Sequence, residues 1–255
     1  LSRGPRKLKK SVHFKSIVVP IDFSETSLKA LDYAIALANQ FGSQICLVHV
    51  LDFPTVFNTT RPYYGNWDKD AQATASKRLT DLIEEKKSGG LISWKSTAIM
   101  GRAFQAICET ARKQKADLIV IGTHGFTGLK RLLLGSTAER VVRHAHCSVL
   151  TVHGQHAKDI TITGKRRKIL VPTDFSEPAE VALQSAVEIA QQFQMKLQLL
   201  YVVPAHYSTG EYDAVDFAML AVEQKRSGQK QLAKIKQALI SKKIAVTTTI
   251  RTGRP

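Results

Sequence analysis

Short unbroken apolar runs alternate along the chain with segments whose apolar residues return every three or four positions. Ile17–Ile21 is a continuous, β-branched run, the pattern of a strand buried on both faces of a parallel sheet. Asp22-Phe23-Ser24-Glu25 then opens a helix with Ser24 as its N-cap. Leu28, Leu31, Ile35 and Ala38 recur at helical spacing, and Gly42 is placed to end that helix. A second strand is predicted at Ile45–Val50, a polar, aromatic loop over Asp52–Asn66, and a long surface helix over Asp68–Lys87. A third strand follows at Ser93–Ile99, then a helix over Ala103–Lys113 with Phe104, Ile107, Cys108 and Ala111 on one face. Leu118–Ile121, Ser136–Ala145 and Ser148–Val152 complete the series as strand, helix and strand. Strands alternating with helices predict a doubly wound parallel sheet with right-handed crossovers. In such sheets ligands bind beyond the carboxyl ends of the strands, at the topological switch point, which brings Asp22 close to Gly122.

The pattern occurs twice. Lys15-Ser16-Ile17-Val18-Val19-Pro20-Ile21-Asp22-Phe23-Ser24-Glu25 returns as Arg167-Lys168-Ile169-Leu170-Val171-Pro172-Thr173-Asp174-Phe175-Ser176-Glu177. The same offset relates Ala34 to Ala186, Phe41 to Phe193, Gly101 to Gly253 and Arg102 to Arg254. A constant offset over so long a unit indicates a duplicated domain, since solenoid repeats are far shorter. The expected fold is therefore α/β: two tandem doubly wound parallel-sheet, Rossmann-like domains. The first runs over 11–153 and the second over 167–255, joined by a polar, basic linker at 154–166. The counterpart of Gly122 would fall past Pro255, so the second domain is expected to be incomplete, lacking about 50 residues of the repeat unit. On that reading Ile169–Thr173 is an apolar sheet edge, and the chain as written should aggregate or cover that edge by self-association.

Composition adjusts this picture little. Of 255 residues 44% are hydrophobic, an ordinary value for a soluble globular protein, and no apolar run suggests a membrane span or a signal peptide. The expected setting is cytoplasmic. Three cysteines, Cys46, Cys108 and Cys147, sit singly in apolar segments and read as small core residues, not as disulfide or zinc ligands. The net charge of +16 raises nucleic-acid binding as a question. Its clusters, Arg3–Lys10 and Lys165–Lys168, fall in a tail and a linker, and no zinc-finger or aromatic RNA-binding signature accompanies them. Neither a nucleic-acid nor a membrane partner is expected.

The chemistry-bearing stretch follows the fourth strand: Gly122-Thr123-His124-Gly125, nine residues, then Gly135-Ser136-Thr137. Glycines let backbone approach a ligand, and exposed N–H groups in such a loop can cradle phosphate oxygens. Ser136-Thr137-Ala138-Glu139 reads as a capping box with Ser136 as N-cap. A helix N-terminus there adds positive dipole toward an anion. Glycines that serve only the turn are the alternative. For Asp22 the alternative to a ligand contact is a helix-start carboxylate; for His124, Lys130 and Arg131 it is a solvated loop.

These residues resemble the ATP-binding branch of the universal stress proteins, whose loop pattern is G-x2-G-x9-G-[ST]. Gly122, Gly125, Gly135 and Ser136 match every defined position. Val19-Pro20-x-Asp22-x-Ser24 and Leu47-Val48-His49-Val50 resemble the family's first two strand motifs. Gly101 resembles the glycine of its G-x-P turn, although Ala103 stands in place of the proline; Gly253-Arg254-Pro255 keeps that turn. The resemblance implies the sheet order 3-2-1-4-5, with the fifth strand commonly mediating pairing between domains. It also implies that Asp22 contacts ribose, backbone around Val50 bonds adenine, the glycines approach phosphates, and Ser136 and Thr137 donate hydroxyls. The candidate binding set is Pro20, Ile21, Asp22, Val50, Gly122, Thr123, His124, Gly125, Gly135, Ser136 and Thr137, with ATP and Mg²⁺ as the expected ligands. Expected partners besides the nucleotide are a second domain, by intramolecular pairing or in a homodimer, and a regulatory protein.

Two functions follow. One is an ATP-binding regulatory protein of the stress response, in which the nucleotide biases conformation. The other is a slow ATPase or phosphotransfer enzyme. Phosphoryl transfer needs a metal clamp and a group that positions the nucleophile. The sequence has neither a G-x4-G-K-[ST] loop nor a kinase signature set, so the regulatory reading is preferred. A pure interaction module with an empty pocket fits the intact glycine pattern less well.

Overall fold

Ile17, Val18 and Val19 are fully buried in β1 (Ser16–Pro20), as an apolar strand covered on both faces requires. In this computed structural model, which describes residues 13–51, 67–87, 92–123, 134–153, 167–204 and 214–254, the chain divides into two compact units, one within His13–Ile160 and one within Thr161–Pro255. The strand starts one residue earlier than its apolar run. Asp117 Oδ2 accepts the Lys15 and Ser16 amides at 2.8 and 3.1 Å and pins the strand's entry.

Helix α1 (Glu25–Phe41) begins at Ser24, whose hydroxyl accepts the Ser27 amide at 3.3 Å. It ends at Gly42, where φ of 67° is the left-handed conformation that favours glycine. There follow β2 (Gln44–Leu51), α2 (Trp67–Lys86), β3 (Trp94–Met100), α3 (Ala103–Lys113), β4 (Leu118–Gly122), α4 (Ser136–His144) and β5 (Ser148–Val152). The expected loop over 52–66 lies outside the described residues. All pairings are parallel, in the order β3-β2-β1-β4-β5, as the resemblance implies. The apolar stripe of α3 meets the inner faces of β1, β2 and β4, so that Ile107, Cys108 and Ala111 join Val18, Cys46, Val48, Ile119 and Ile121 in one cluster with Val141 of α4.

The second unit repeats this order as β6 (Lys168–Pro172), α5 (Glu177–Gln192), β7 (Lys196–Pro204), α6 (Ala214–Ser241) and β8 (Val246–Gly253). Its parallel sheet runs β6-β7-β8 among the described residues. Ser176 caps α5 as Ser24 caps α1. The core is separate, built on Val171, Leu197, Leu199, Leu232 and Leu239. Leu170 occupies the repeat position of Val18, yet is 55% exposed where Val18 is fully buried.

Candidate functional site

The crevice forms because β1 changes partners. β1 pairs with β4 only at Ile17–Leu118 and Val18–Ile119, and with β2 only as far as Pro20–Val48. Beyond those pairs the strands part, and their carboxyl ends open into a cavity of about 250 Å³. Val50 lies past the last β1–β2 pair, so the backbone of β2 there faces the cavity without β1 beside it.

Nine of the eleven candidate residues line this cavity: Pro20, Ile21, Asp22, Val50, Gly122, Thr123, Gly135, Ser136 and Thr137. His124 and Gly125 lie outside the described residues, as do Lys130 and Arg131. The remaining lining comes from Ser27, Val48, Ala103, Ile107, Ile121 and Ala138. Most of these are apolar helix and strand positions, which periodicity assigns to the core without distinguishing a cavity wall from packed interior. The wall near Ala103 is the start of α3, whose N-cap residue Arg102 makes no side-chain cap bond.

Asp22 is held at one oxygen. Its Oδ1 accepts the Ser24 amide at 2.9 Å and the Ser24 hydroxyl at 2.5 Å, and Oδ2 makes no hydrogen bond among the described residues. The turn that allows this puts Phe23 at φ 64°, a left-handed conformation costing roughly 1–2 kcal/mol in a non-glycine residue. Contacts hold Phe23 there. Its ring packs 5.1 Å from His49, and the Arg78 guanidinium lies 3.8 Å over its centroid. His49 Nδ1 donates to the Ile21 carbonyl at 2.7 Å, and since a carbonyl only accepts, the proton is on Nδ1. The second unit repeats the device: Phe175 has φ 65°, and Asp174 accepts from Ser176. Those Ser176 hydrogen bonds hold the Asp174 carboxyl below its ordinary value.

Gly122 has a second reason to be glycine. A Cβ there would come within 2.9 Å of the Thr26 carbonyl carbon and oxygen, so β4 packs its backbone against the first turn of α1. The glycine thus serves close helix–strand packing as well as lining the cavity.

The capping-box expectation at Ser136 is corrected. The N-cap of α4 is Gly135, extended at φ −69° and ψ 153°, with its carbonyl accepting the Glu139 amide at 2.9 Å. The helix starts one residue earlier than the box would place it, and Glu139 pairs instead with Arg143 at 2.9 Å. Ser136 and Thr137 become its first two residues, and Gly135 has no side chain with which to cap the turn. The first-turn N–H groups of α4 have no carbonyl of their own helix to bond, and Ser136, Thr137 and Ala138 line the cavity. A helix N-terminus of this kind favours an anion.

The two ends of the loop between β4 and α4 are tied. The Thr123 amide donates to the Val152 carbonyl at 3.0 Å and its carbonyl accepts the Gly135 amide at 2.6 Å. Its hydroxyl shares a 2.8 Å hydrogen bond with His153 Nδ1. Among the described residues no cluster of three or more His, Cys, Asp or Glu could hold a metal. No described helix is long and apolar enough to cross a membrane. Cys46 and Cys108 are buried and Cys147 half-buried, all three free thiols, and burial pushes each thiol above its ordinary value.

A doubly wound α/β unit with an anion-favouring cleft at its switch point is the class these features define. The sequence model described as the universal stress protein family matches residues 13–153 and again 165–255, so the chain belongs to the universal stress protein family. The chain is 38% identical over 145 residues to universal stress protein MJ0531 of Methanocaldococcus jannaschii, covering 54% of this chain and 82% of that protein. It is 33% identical over 144 residues to universal stress protein A homolog 1 of Coxiella burnetii, covering 55% of this chain and 97% of that one. The chain is similar in fold to a universal stress protein from Archaeoglobus fulgidus at TM-score 0.67 and 19% identity, over 94% of this chain and 77% of that one.

Proposed function

We propose that the first repeat, residues 11–153, binds ATP as a regulatory ligand and does not turn it over at enzyme rates. The observation that carries this reading is the convergence of the Asp22 carboxylate and the glycine-capped start of α4 on one cavity with an apolar wall. The apolar wall of Val48, Val50, Ala103 and Ile107 suits a base, Asp22 Oδ2 suits a ribose hydroxyl, and the Ser136–Ala138 turn suits phosphate oxygens. The cavity of about 250 Å³ is slightly below the roughly 300–1,000 Å³ of common ligand sites, so the reading has the nucleoside inside and the phosphates reaching out over α4. Mg²⁺ fits as a companion of the phosphates: it commonly takes one or two carboxylates besides phosphate oxygens, and Asp22 supplies one. Bound there, the metal would screen phosphate charge. The described cavity lining pairs one carboxylate, Asp22, with the hydroxyls of Ser27, Thr123, Ser136 and Thr137, a set suited to holding a polar ligand; this reading takes it as binding without turnover.

Titration calorimetry with ATP, GTP and buffer tests the proposal on the full chain. Heat with ATP at a Kd of about 100 μM or tighter, roughly −5.5 kcal/mol, and a large loss in Asp22→Ala are expected. Absence of heat with ATP removes the reading. Phosphate release near the ~10 s⁻¹ typical of enzymes, lost in Asp22→Ala, would replace it with an ATPase.

A further inference from the structure

Thr123 is 3% exposed and sits where β4 ends, and it is tied to three different parts of the unit. Its amide extends the β4–β5 ladder onto Val152, its carbonyl takes the Gly135 amide, and its hydroxyl meets His153, the residue just past β5. Gly135 is the N-cap of α4, so the bond from its amide to the Thr123 carbonyl sets where that helix begins. The chain from His153 to Thr123 to Gly135 therefore connects an exposed residue outside the cavity to the helix turn that lines it. A buried hydroxyl gripped by a ring nitrogen has little freedom to rotate its backbone, because turning the Thr123 carbonyl away would also move the hydroxyl off His153.

We propose that His153 is a positioning residue for the cleft. Acting through Thr123, it fixes the hydrogen bond from the Gly135 amide to the Thr123 carbonyl and thereby the stance of the α4 N-terminus toward Asp22. His153 touches no ligand in this scheme, since it does not line the cavity. The inference rests on the nucleotide reading above for its consequence, but its structural content can be measured without nucleotide.

The test is a double-mutant cycle on the full chain, with ATP affinity by calorimetry and Gly135 amide exchange by NMR in nucleotide-free protein. His153→Ala is expected to weaken ATP about five- to tenfold, the equilibrium weight of one net hydrogen bond. His153→Asn, which can present a polar atom near the Nδ1 position, should return affinity to within about twofold of the parent. Thr123→Val combined with His153→Ala should bind no more weakly than Thr123→Val alone. Gly135 amide exchange should quicken in His153→Ala and recover in His153→Asn. Parent-like affinity in His153→Ala overturns the proposal, as does a loss that Asn does not restore or that adds to Thr123→Val. If the parent chain binds no ATP, the nucleotide reading falls. The clamp is then judged on Gly135 exchange alone, and an unchanged rate in His153→Ala overturns it.

Discussion

Gly122 shows how one residue can serve two demands. The sequence motif offers it as a phosphate-approach glycine, while the fold places the Thr26 backbone where its side chain would be. Gly122→Ala should therefore cost about 1–3 kcal/mol of stability through overpacking, even without ligand. Urea unfolding checks this; unchanged stability would mean that α1 can retreat from β4 without cost. Cys46 makes a prediction of a different kind. It is 2% exposed, and burial raises its thiol above the ordinary 9.0, an effect that nearby Lys95 partly offsets. A group whose native value is raised contributes stability that is whole below the unfolded value and is lost as pH climbs through the native one. The parent should thus lose stability above about pH 9 more steeply than Cys46→Val, which keeps the burial without the titration. Paired unfolding curves between neutral and alkaline pH would show the difference, and parallel curves would refute it.

The helix starts carry the next set of relations. Ser24 caps α1 and also grips Asp22, whereas Ser176 caps α5 and grips Asp174 in the other repeat. Either change to Ala should cost about 0.5–2 kcal/mol as a lost N-cap. Only Ser24→Ala should also weaken ATP, because only Asp22 lines the proposed site. Equal ATP binding in parent and Ser24→Ala would show that Asp22 needs no bracing. Helix α4 teaches the complementary lesson. Ser-x-x-Glu is a fair capping-box signature, yet the helix starts at Gly135 because the Thr123 carbonyl takes the Gly135 amide and sets the chain's direction there. Local sequence could not register a constraint imposed by a strand end twelve residues earlier.

At the level of the whole chain, two repeats with separate cores allow a ligand to stabilise one and leave the other unchanged. ATP at 100 times its Kd should stabilise the first repeat by about 2.7 kcal/mol. Hydrogen exchange should then slow in β1, β4 and α4 and stay constant in β6, β7 and β8. Equal slowing in both would mean that nucleotide acts on the second repeat too.

In the first repeat, periodicity was enough for the order of strands and helices and for the position of most element ends to within a residue, while the constant offset of paired residues gave the duplication. Those features are set locally, by which residues alternate, where Ser24 and Ser176 can cap, and where Gly42 can turn left-handed. The family resemblance added the strand order, and nine of the eleven candidate residues meet in one cavity because the chain reverses its direction of sheet growth between β1 and β4. What the sequence could not contain was pairing at a distance. Ala103, Ile107 and Val48 become a cavity wall only when α3 lies across β2, and the ring of Phe23 finds its neighbours, His49 and Arg78, only in the folded unit, as Phe175 finds Tyr201 in the other. Likewise His153 reaches Thr123 only because β4 and β5 run in parallel register, with Gly122 beside Val152. Short-range chemistry chose the elements, and the packing of elements far apart in the chain chose which of their side chains share a site.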